Sequence, residues 1–438
     1  MKMLRWFREN WLHIALLLAL IVSVTFSFLI WANPFQRPHS KRTPTLRQPT
    51  TQTATWKASD LYVPTTVVIN RGGGKQEQVQ SKTNEAMHVI QRGLAATNAD
   101  RITPVALTAH DYQGEFHRAD TVILSYPDPL PGGLFKKLLR RGGSGASFQV
   151  NHVLISTKKP DRLYLLDDAH RQEYVVPVRG TAVRRMVHTL VTLKGQRTPI
   201  TFQRIAGKMT VTYPAGLSLP QVSYLVNKQP ANQLVTRLMG ANSSYIIDSR
   251  QQANTTTYTD SNQRLTVNQK EGVIAYDQYR RRGQPDDATT VLTSNVKRLN
   301  DLDVGLTAVH FLSYSQPHHT ATYCSYVAGF PIISSVSRGM YTIRQTATAT
   351  TSVTFSQYGL QVAIPSGAGA HQVHLPATAE VFNQLAAAGI SADKVTGITV
   401  GYQWHANKAS GEVADLTPTY FIRINGQWQD YQRVIAHH

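Results

Sequence analysis

Trp11-Leu-His-Ile-Ala-Leu-Leu-Leu-Ala-Leu-Ile-Val-Ser-Val-Thr-Phe-Ser-Phe-Leu-Ile-Trp31 separates this chain into a membrane part and a folded part. No Lys, Arg, Asp or Glu occurs from Asn10 to Gln36. At 1.5 Å rise per residue, a helix from Trp11 to Trp31 is about 31 Å long, close to the thickness of a bilayer's hydrocarbon core. A lone spanning segment has to be a helix, because only then is its backbone satisfied within itself in lipid. Trp6, Trp11 and Trp31 are the amphipathic rings expected at the two headgroup levels. No comparable apolar run follows, so the reading is one span and one large water-exposed body.

The run is longer than the roughly 7–15 residues of a signal-peptide core, and the best cleavage position, after Ala32, is preceded by bulky Ile30 and Trp31. A retained anchor is expected. Lys2, Arg5 and Arg8 precede the span, and Arg37, Lys41, Arg42 and Arg47 follow it, so the positive charges alone do not orient it. Long domains translocate despite their charge. The expectation is a cytoplasmic N-terminus and a body outside the cell membrane.

The 438 residues are enough for two or three domains, each with its own core. A single cysteine, Cys324, forbids an intramolecular disulfide, so an external body is held by burial alone. The formal charge of +19 implies attraction to polyanions, with membrane lipid headgroups and anionic wall polymers as candidates. Nucleic acid is not expected: Arg140-Arg141, Arg184-Arg185 and Arg280-Arg281-Arg282 have no aromatic residues interleaved with them, and this diffuse charge reads as a solvated basic surface.

Residues 1–10 are read as the cytoplasmic stub, 11–32 as the transmembrane helix and 33–55 as a stalk. The stalk carries Pro34, Pro38, Pro44 and Pro49 and too few apolar side chains to fold. An N-terminal domain over 56–194 is expected to open with a strand at Val67–Ile69 before the Gly72-Gly73-Gly74 turn. A helix over Thr83–Leu94, capped by Ser81 or Thr83, a strand at Val122–Leu124 and a helix over Gly133–Arg141 follow. Next comes a meander through Val153–Ile155, Leu163–Leu166 and Tyr174–Val176. Val183, Met186, Val187, Leu190 and Val191 then mark one face of a helix.

A middle domain, 195–300, shows strands at Thr210–Tyr213 and Val222–Val226, a short helix at Leu234–Met239 stopped by Gly240, and a hairpin of Arg264–Asn268 with Gly272–Tyr276. A C-terminal domain, 301–438, is the richest in strands: Ser352–Tyr358 and Leu360–Ile364 alternate at period two. Its helix over Ala377–Ala388 ends at Gly389, and Asn425-Gly426 forms a two-residue hairpin turn. Strands without βαβ regularity give the fold class α+β: one N-terminal transmembrane helix, then a multi-domain extracytoplasmic body with antiparallel sheets and a few packed helices.

The sequence argues against an enzyme. Arg71-Gly-Gly-Gly-Lys75 and Arg140-Arg-Gly-Gly-Ser-Gly145 lack the spacing that cradles phosphates, and neither a Gly-x-Ser-x-Gly elbow nor a His-Glu-x-x-His pair occurs. His318-His319 and His371 with His374 have no acidic or thiol neighbours, so no metal and no cofactor are expected. Cys324 reads as a buried structural thiol, and Asp167-Asp168 and Asp286-Asp287 as turn residues. In the membrane helix, Ala15, Ala19, Ser23 and Ser27 recur every four residues. Such a stripe lets another helix approach closely, with the two hydroxyls bonding across the contact; the competing explanation is the ordinary frequency of Ala and Ser in such helices.

Several segments in this order resemble the YycH family of membrane-anchored regulators of a Gram-positive cell-wall two-component system. They are Ser27-Phe-Leu-Ile-Trp-Ala-Asn-Pro34, Leu61-Tyr-Val-Pro-Thr-Thr-Val-Val68, Tyr258-Thr-Asp-Ser-Asn-Gln-Arg-Leu-Thr-Val-Asn268 with Ile274-Ala-Tyr276, Val327-Ala-Gly-Phe-Pro-Ile332, Ile398-Thr-Val-Gly-Tyr402, and Leu416-Thr-Pro-Thr-Tyr420 with Asn425-Gly-Gln-Trp428. Tyr420 stands where family members tend to carry Trp. The resemblance implies a three-domain external body whose last two domains share topology with each other and with the partner YycI. It also implies association with YycI and with the sensor histidine kinase WalK (YycG) through membrane helices. The function expected is non-enzymatic modulation of that kinase. One rival is a binding module for anionic wall polymer or lipid; the other is a wall-modifying hydrolase whose catalytic groups meet only in space.

Overall fold

The computed structural model describes residues 55–80, 84–140, 147–240, 247–279, 287–302, 308–346, 350–365, 371–407 and 410–437, all in the unit Thr53–His438. The expected stub, membrane helix and nearly all of the stalk lie outside the described residues. Among the described residues no helix is long and apolar enough to cross a membrane. The body is α+β with two large sheets.

Among the described residues, nine strands form the first sheet. Its order is Asn98–Ala99, Gln172–Arg179, Arg162–Asp167, Gln149–Ser156, Thr121–Pro131, Thr66–Asn70, Gln76–Gln80 and Gln196–Pro199, with Thr103–Val105 also paired to Gln172–Arg179. Val67-Val68-Ile69, Val122-Ile123-Leu124 and Val153-Leu154-Ile155 are buried without interruption because both faces of this sheet are covered. On one face lie the helices Glu85–Ala95 and Ala182–Thr192. Val183, Met186, Val187 and Leu190 face inward at the spacing read from the sequence. The two helices pack closely enough that a Cβ on Gly93 would overlap Met186. The other face holds Tyr112, Phe116, Ile123, Leu154 and Phe202. The meander is antiparallel, as its turn spacing predicts.

Fourteen described strands make the second sheet, drawn from Val222–Lys228, Asp248–Tyr279 and Val309–Asp430. The expected hairpin forms between Gln263–Asn268 and Val273–Tyr279, with Asn268 opposite Val273. One contact departs from the antiparallel rule: Ile332 and Ile333 run parallel to Tyr402 and Gln403. There the backbone passes so close that a Cβ on Gly401 would lie 2.8 Å from the Pro331 carbonyl. Asn425 and Gly426 take φ values of 51° and 78°, the left-handed pair that a two-residue hairpin turn requires. Thr378–Ala387 and Tyr431–Ala436 cover part of this sheet with Val381, Leu385 and Val434 against Tyr420 and Ile422.

The 15-residue helix Ala288–Leu302 has no counterpart in the sequence reading. Its Thr- and Ser-rich composition masks a stripe of Val291, Leu292, Asn295, Leu299 and Leu302. Asp287, read as a turn residue, accepts the Thr290 N–H at 2.9 Å and caps the helix start. The short helix at Ala231–Val235 continues as a π turn over Thr236–Gly240. One buried cluster runs from Leu61 and Ile90 to Leu292, Phe311 and Tyr323, so the first sheet's helical face and the second sheet share a core.

Candidate functional site

Ala15, Ala19, Ser23 and Ser27, and the anchors Trp6, Trp11 and Trp31, lie outside the described residues. At Trp56 to Tyr62 the chain is tied down over long sequence distances. The Trp56 N–H donates to Asn300 Oδ1 at 2.7 Å, and Asn300 Nδ2 donates to the Trp56 carbonyl at 2.9 Å. Asn300 sits in the last turns of Ala288–Leu302. After the four-residue helix Ala58–Leu61, the Tyr62 hydroxyl donates to the Leu292 carbonyl at 2.7 Å and lies 2.6 Å from the Tyr323 hydroxyl. Asn295 Nδ2 completes the group by donating to Tyr323 at 3.1 Å.

The Asp60 carbonyl joins the group, 2.8 Å from His310 Nδ1. A carbonyl only accepts, so Nδ1 carries the proton. Burial, opposed by this bond, pushes His310 down to about 4, with His88 adding to the fall. The first residues of the body are thus bonded to the Ala288–Leu302 helix and to two strands of the second sheet.

A second polar group joins the sheets. Asp128, on Thr121–Pro131, accepts Lys208 Nζ at 2.5 Å and the Tyr314 N–H at 2.9 Å, with Arg423 3.9 Å away. These partners come from three strands outside the first sheet: Lys208–Thr212, Val309–Ser315 and Val413–Ile424. Next to it, Ser125 Oγ lies 2.7 Å from His152 Nδ1, and His152 Nε2 lies 3.2 Å from Asp168 Oδ2. Asp168 also accepts the Tyr112 hydroxyl at 2.6 Å and the Met209 N–H at 2.9 Å. Burial alone would raise this carboxyl, but His152, Tyr112 and the Met209 N–H together hold it below the usual carboxylate range.

Asp168 corrects the sequence reading. Asp167 is the turn residue, accepting the Ala169 and His170 N–H groups, whereas Asp168 points into the buried network. Ser125, His152 and Asp168 are the residue types of a nucleophilic relay, brought together by sheet register: Ser125 and His152 are a cross-strand pair. Their setting is structural. The imidazole is packed edge-on against Phe116 and Phe202 at 4.9 and 6.0 Å. Ser125 is 7% exposed in mid-strand rather than raised on a turn. The adjoining cavity measures 140 Å³, below the roughly 300–1,000 Å³ of small-molecule sites.

Two further buried groups carry shifted protonation. Glu173 is 4% exposed; burial and then the neighbouring Glu115 push it up to about 7, with Arg118 pulling the other way. Cys324 is fully buried and its thiol is pushed up by that burial, which fits the inert role read from the sequence. His374 bonds Ser218 at 2.6 Å. The spacing of Trp56, His152, Asn300 and His310 gives no signal of these contacts, because they meet only through tertiary register.

Fold and polar junctions together define an α+β body in which buried hydrogen-bonded groups tie two large sheets together. The comparisons then specify its family. The description "YycH protein, C-terminal domain" matches residues 215–435, and the chain belongs to the YycH family. The crystal structure of YycH from Bacillus subtilis superposes with a TM-score of 0.69 at 17% identity, covering 86% of this chain and 97% of that one. An uncharacterized protein from Eubacterium rectale matches at a TM-score of 0.31 and 9% identity over 51% of this chain and 86% of its own, too remote to carry an argument. No curated protein matches the sequence. Membership suggests a regulator in the WalK/WalR two-component system, in a regulatory rather than a catalytic family.

Proposed function

We propose that this protein is a non-enzymatic regulator, anchored in the cell membrane of a Gram-positive bacterium by one span, with its N-terminus in the cytoplasm and its body outside. It modulates the sensor histidine kinase WalK together with a YycI-like protein, through helix packing along Ala15, Ala19, Ser23 and Ser27. The observation that supports this reading is the reciprocal Trp56–Asn300 pair with the Tyr62 and Asp60 bonds behind it. Those bonds fix the point at which the stalk leaves the body, so the body stays within the stalk's reach of the membrane helix and of partners packed beside that helix.

A helix contact shifts a kinase between states only if it is more favourable in one of them. Coupling of about 1–3 kcal/mol changes output roughly 5- to 150-fold, within reach of a few intramembrane contacts. The test replaces Ala19 and Ser23 together with Leu and measures co-purification with the kinase and YycI-like partner, and output of a kinase-dependent reporter. Loss of co-purification with a several-fold change in output is expected. Unchanged values at normal expression remove the stripe from the mechanism.

A further inference from the structure

A groove of 1490 Å³ opens where the strands Val309–Ser315, Thr320–Val327 and Met340–Gln345 meet Gly397–Ala406, Val413–Ile424 and Gln427–Asp430. Its floor follows from register. Ser313 pairs with Thr322 and Thr322 with Thr342; Ser315 pairs with Thr320 and Thr320 with Arg344. Cross-strand partners, and residues two apart along a strand, share a face. Hydroxyls therefore stand in two parallel rows at the strand spacing of about 4.8 Å, and one row ends in a guanidinium. The opposite face of the same strands carries Ala321, Tyr323, Tyr341 and Ile343, which are core.

The walls add charge and aromatic surface. Arg344 and Arg433 are exposed and form no ion pair with a carboxylate among the described residues. The acidic residue lining the groove, Asp430, is occupied internally, accepting the Thr419 hydroxyl at 2.6 Å and the Arg433 N–H at 2.9 Å. Trp404 and Trp428 line the same space. Trp404 is nearly buried, whereas Trp428 is half-buried, with the Arg423 guanidinium 6.0 Å from its ring centre.

A Thr-rich strand face alone is explained by β propensity at a solvated surface. Two exposed guanidiniums without an ion pair among the described residues and a half-buried tryptophan beside it add charge and an aromatic surface that β propensity does not explain. We propose that this groove binds a chain repeating hydroxyl and phosphate groups, a polyol-phosphate polymer. Its phosphates meet Arg344 and Arg433, its hydroxyls meet the Ser and Thr rows, and its C–H faces lie on the exposed part of Trp428. The net charge of +19 favours the approach of such a polyanion from a distance. The inference stands independently of helix packing in the membrane.

The test uses the full chain in phosphatidylcholine nanodiscs, titrated with poly(glycerol phosphate) and read by calorimetry and Trp fluorescence. Saturable binding is expected, weakened at least tenfold in the double variant Arg344→Gln, Arg433→Gln and several-fold in Trp428→Phe, with unfolding midpoints unchanged. Absence of binding, equal binding by both variants, or equal competition by inorganic polyphosphate, which has charge but no hydroxyls, overturns the proposal. Phosphatidylglycerol vesicles form the second arm. Binding there but not to the polymer assigns the groove to a lipid headgroup and overturns the polymer.

Discussion

Two buried groups make opposite demands on pH, and replacing either one exposes the other. His310 falls from 6.5 to about 4 on folding, so the unfolded chain binds more protons between those values. Its contribution is complete above pH 6.5 and is lost as pH falls towards 4. At 1.36 kcal/mol per pH unit the gap is worth about 3 kcal/mol. Glu173 rises from 4.5 to about 7, so its contribution is complete below pH 4.5 and is lost as pH rises through 7, again by about 3 kcal/mol. Across pH 4.5 to 6.5 the two nearly cancel, and the wild-type stability changes by less than about 1 kcal/mol.

The perturbations are His310→Gln, which cannot take up a proton, and Glu173→Gln, which stays neutral throughout. Urea unfolding of the full chain in detergent, from pH 4 to 7.5, is the assay. His310→Gln should lose about 3 kcal/mol as pH rises over this range, and Glu173→Gln should gain about as much. Asp168, held low, titrates below the window. Variant profiles parallel to wild type refute the reasoning for both groups.

Asp128→Ala leaves the Lys208 ammonium and the Tyr314 N–H without their acceptor, and should cost about 3 kcal/mol in urea unfolding, with Asp128→Asn costing less because one oxygen remains. A cost below about 0.5 kcal/mol would show that the sheets do not depend on this junction. Gly401→Ala forces a methyl against the Pro331 carbonyl and the Phe421 ring, and should lower stability by roughly 1–3 kcal/mol through the parallel strand contact. An unchanged thermal midpoint would contradict the close approach.

Periodicity carried much of the fold. The Ala182–Thr192 helix was legible because Val183, Met186, Val187 and Leu190 keep strict helical spacing, and the Asn425-Gly426 turn because few dipeptides accept two left-handed residues in succession. The Ala288–Leu302 helix was hidden because hydroxyl side chains interrupt its apolar stripe, so packing against Phe311 and Tyr323, rather than propensity, holds it. The polar junctions were illegible for another reason. Asp128, Asp168 and Asn300 resemble any loop or surface residue until distant strands supply their partners, and no local pattern encodes a bond across 244 residues. The parallel run of Ile332 beside Tyr402 belongs with them, being a product of chain path rather than of alternation.

If the body hangs from a membrane anchor as proposed, the Trp56–Asn300 pair gives that tether two lengths. Undoing it together with the Tyr62 and Asp60 bonds strips Trp56 to Val63 from the body and adds roughly 25 Å of backbone to the leash. Tension along the chain reaches those hydrogen bonds, and then the buried side chains of Leu61, Tyr62 and Val63, before it reaches any sheet. Under load, the distance from the bilayer to the body would lengthen in one step while the two sheets stay whole.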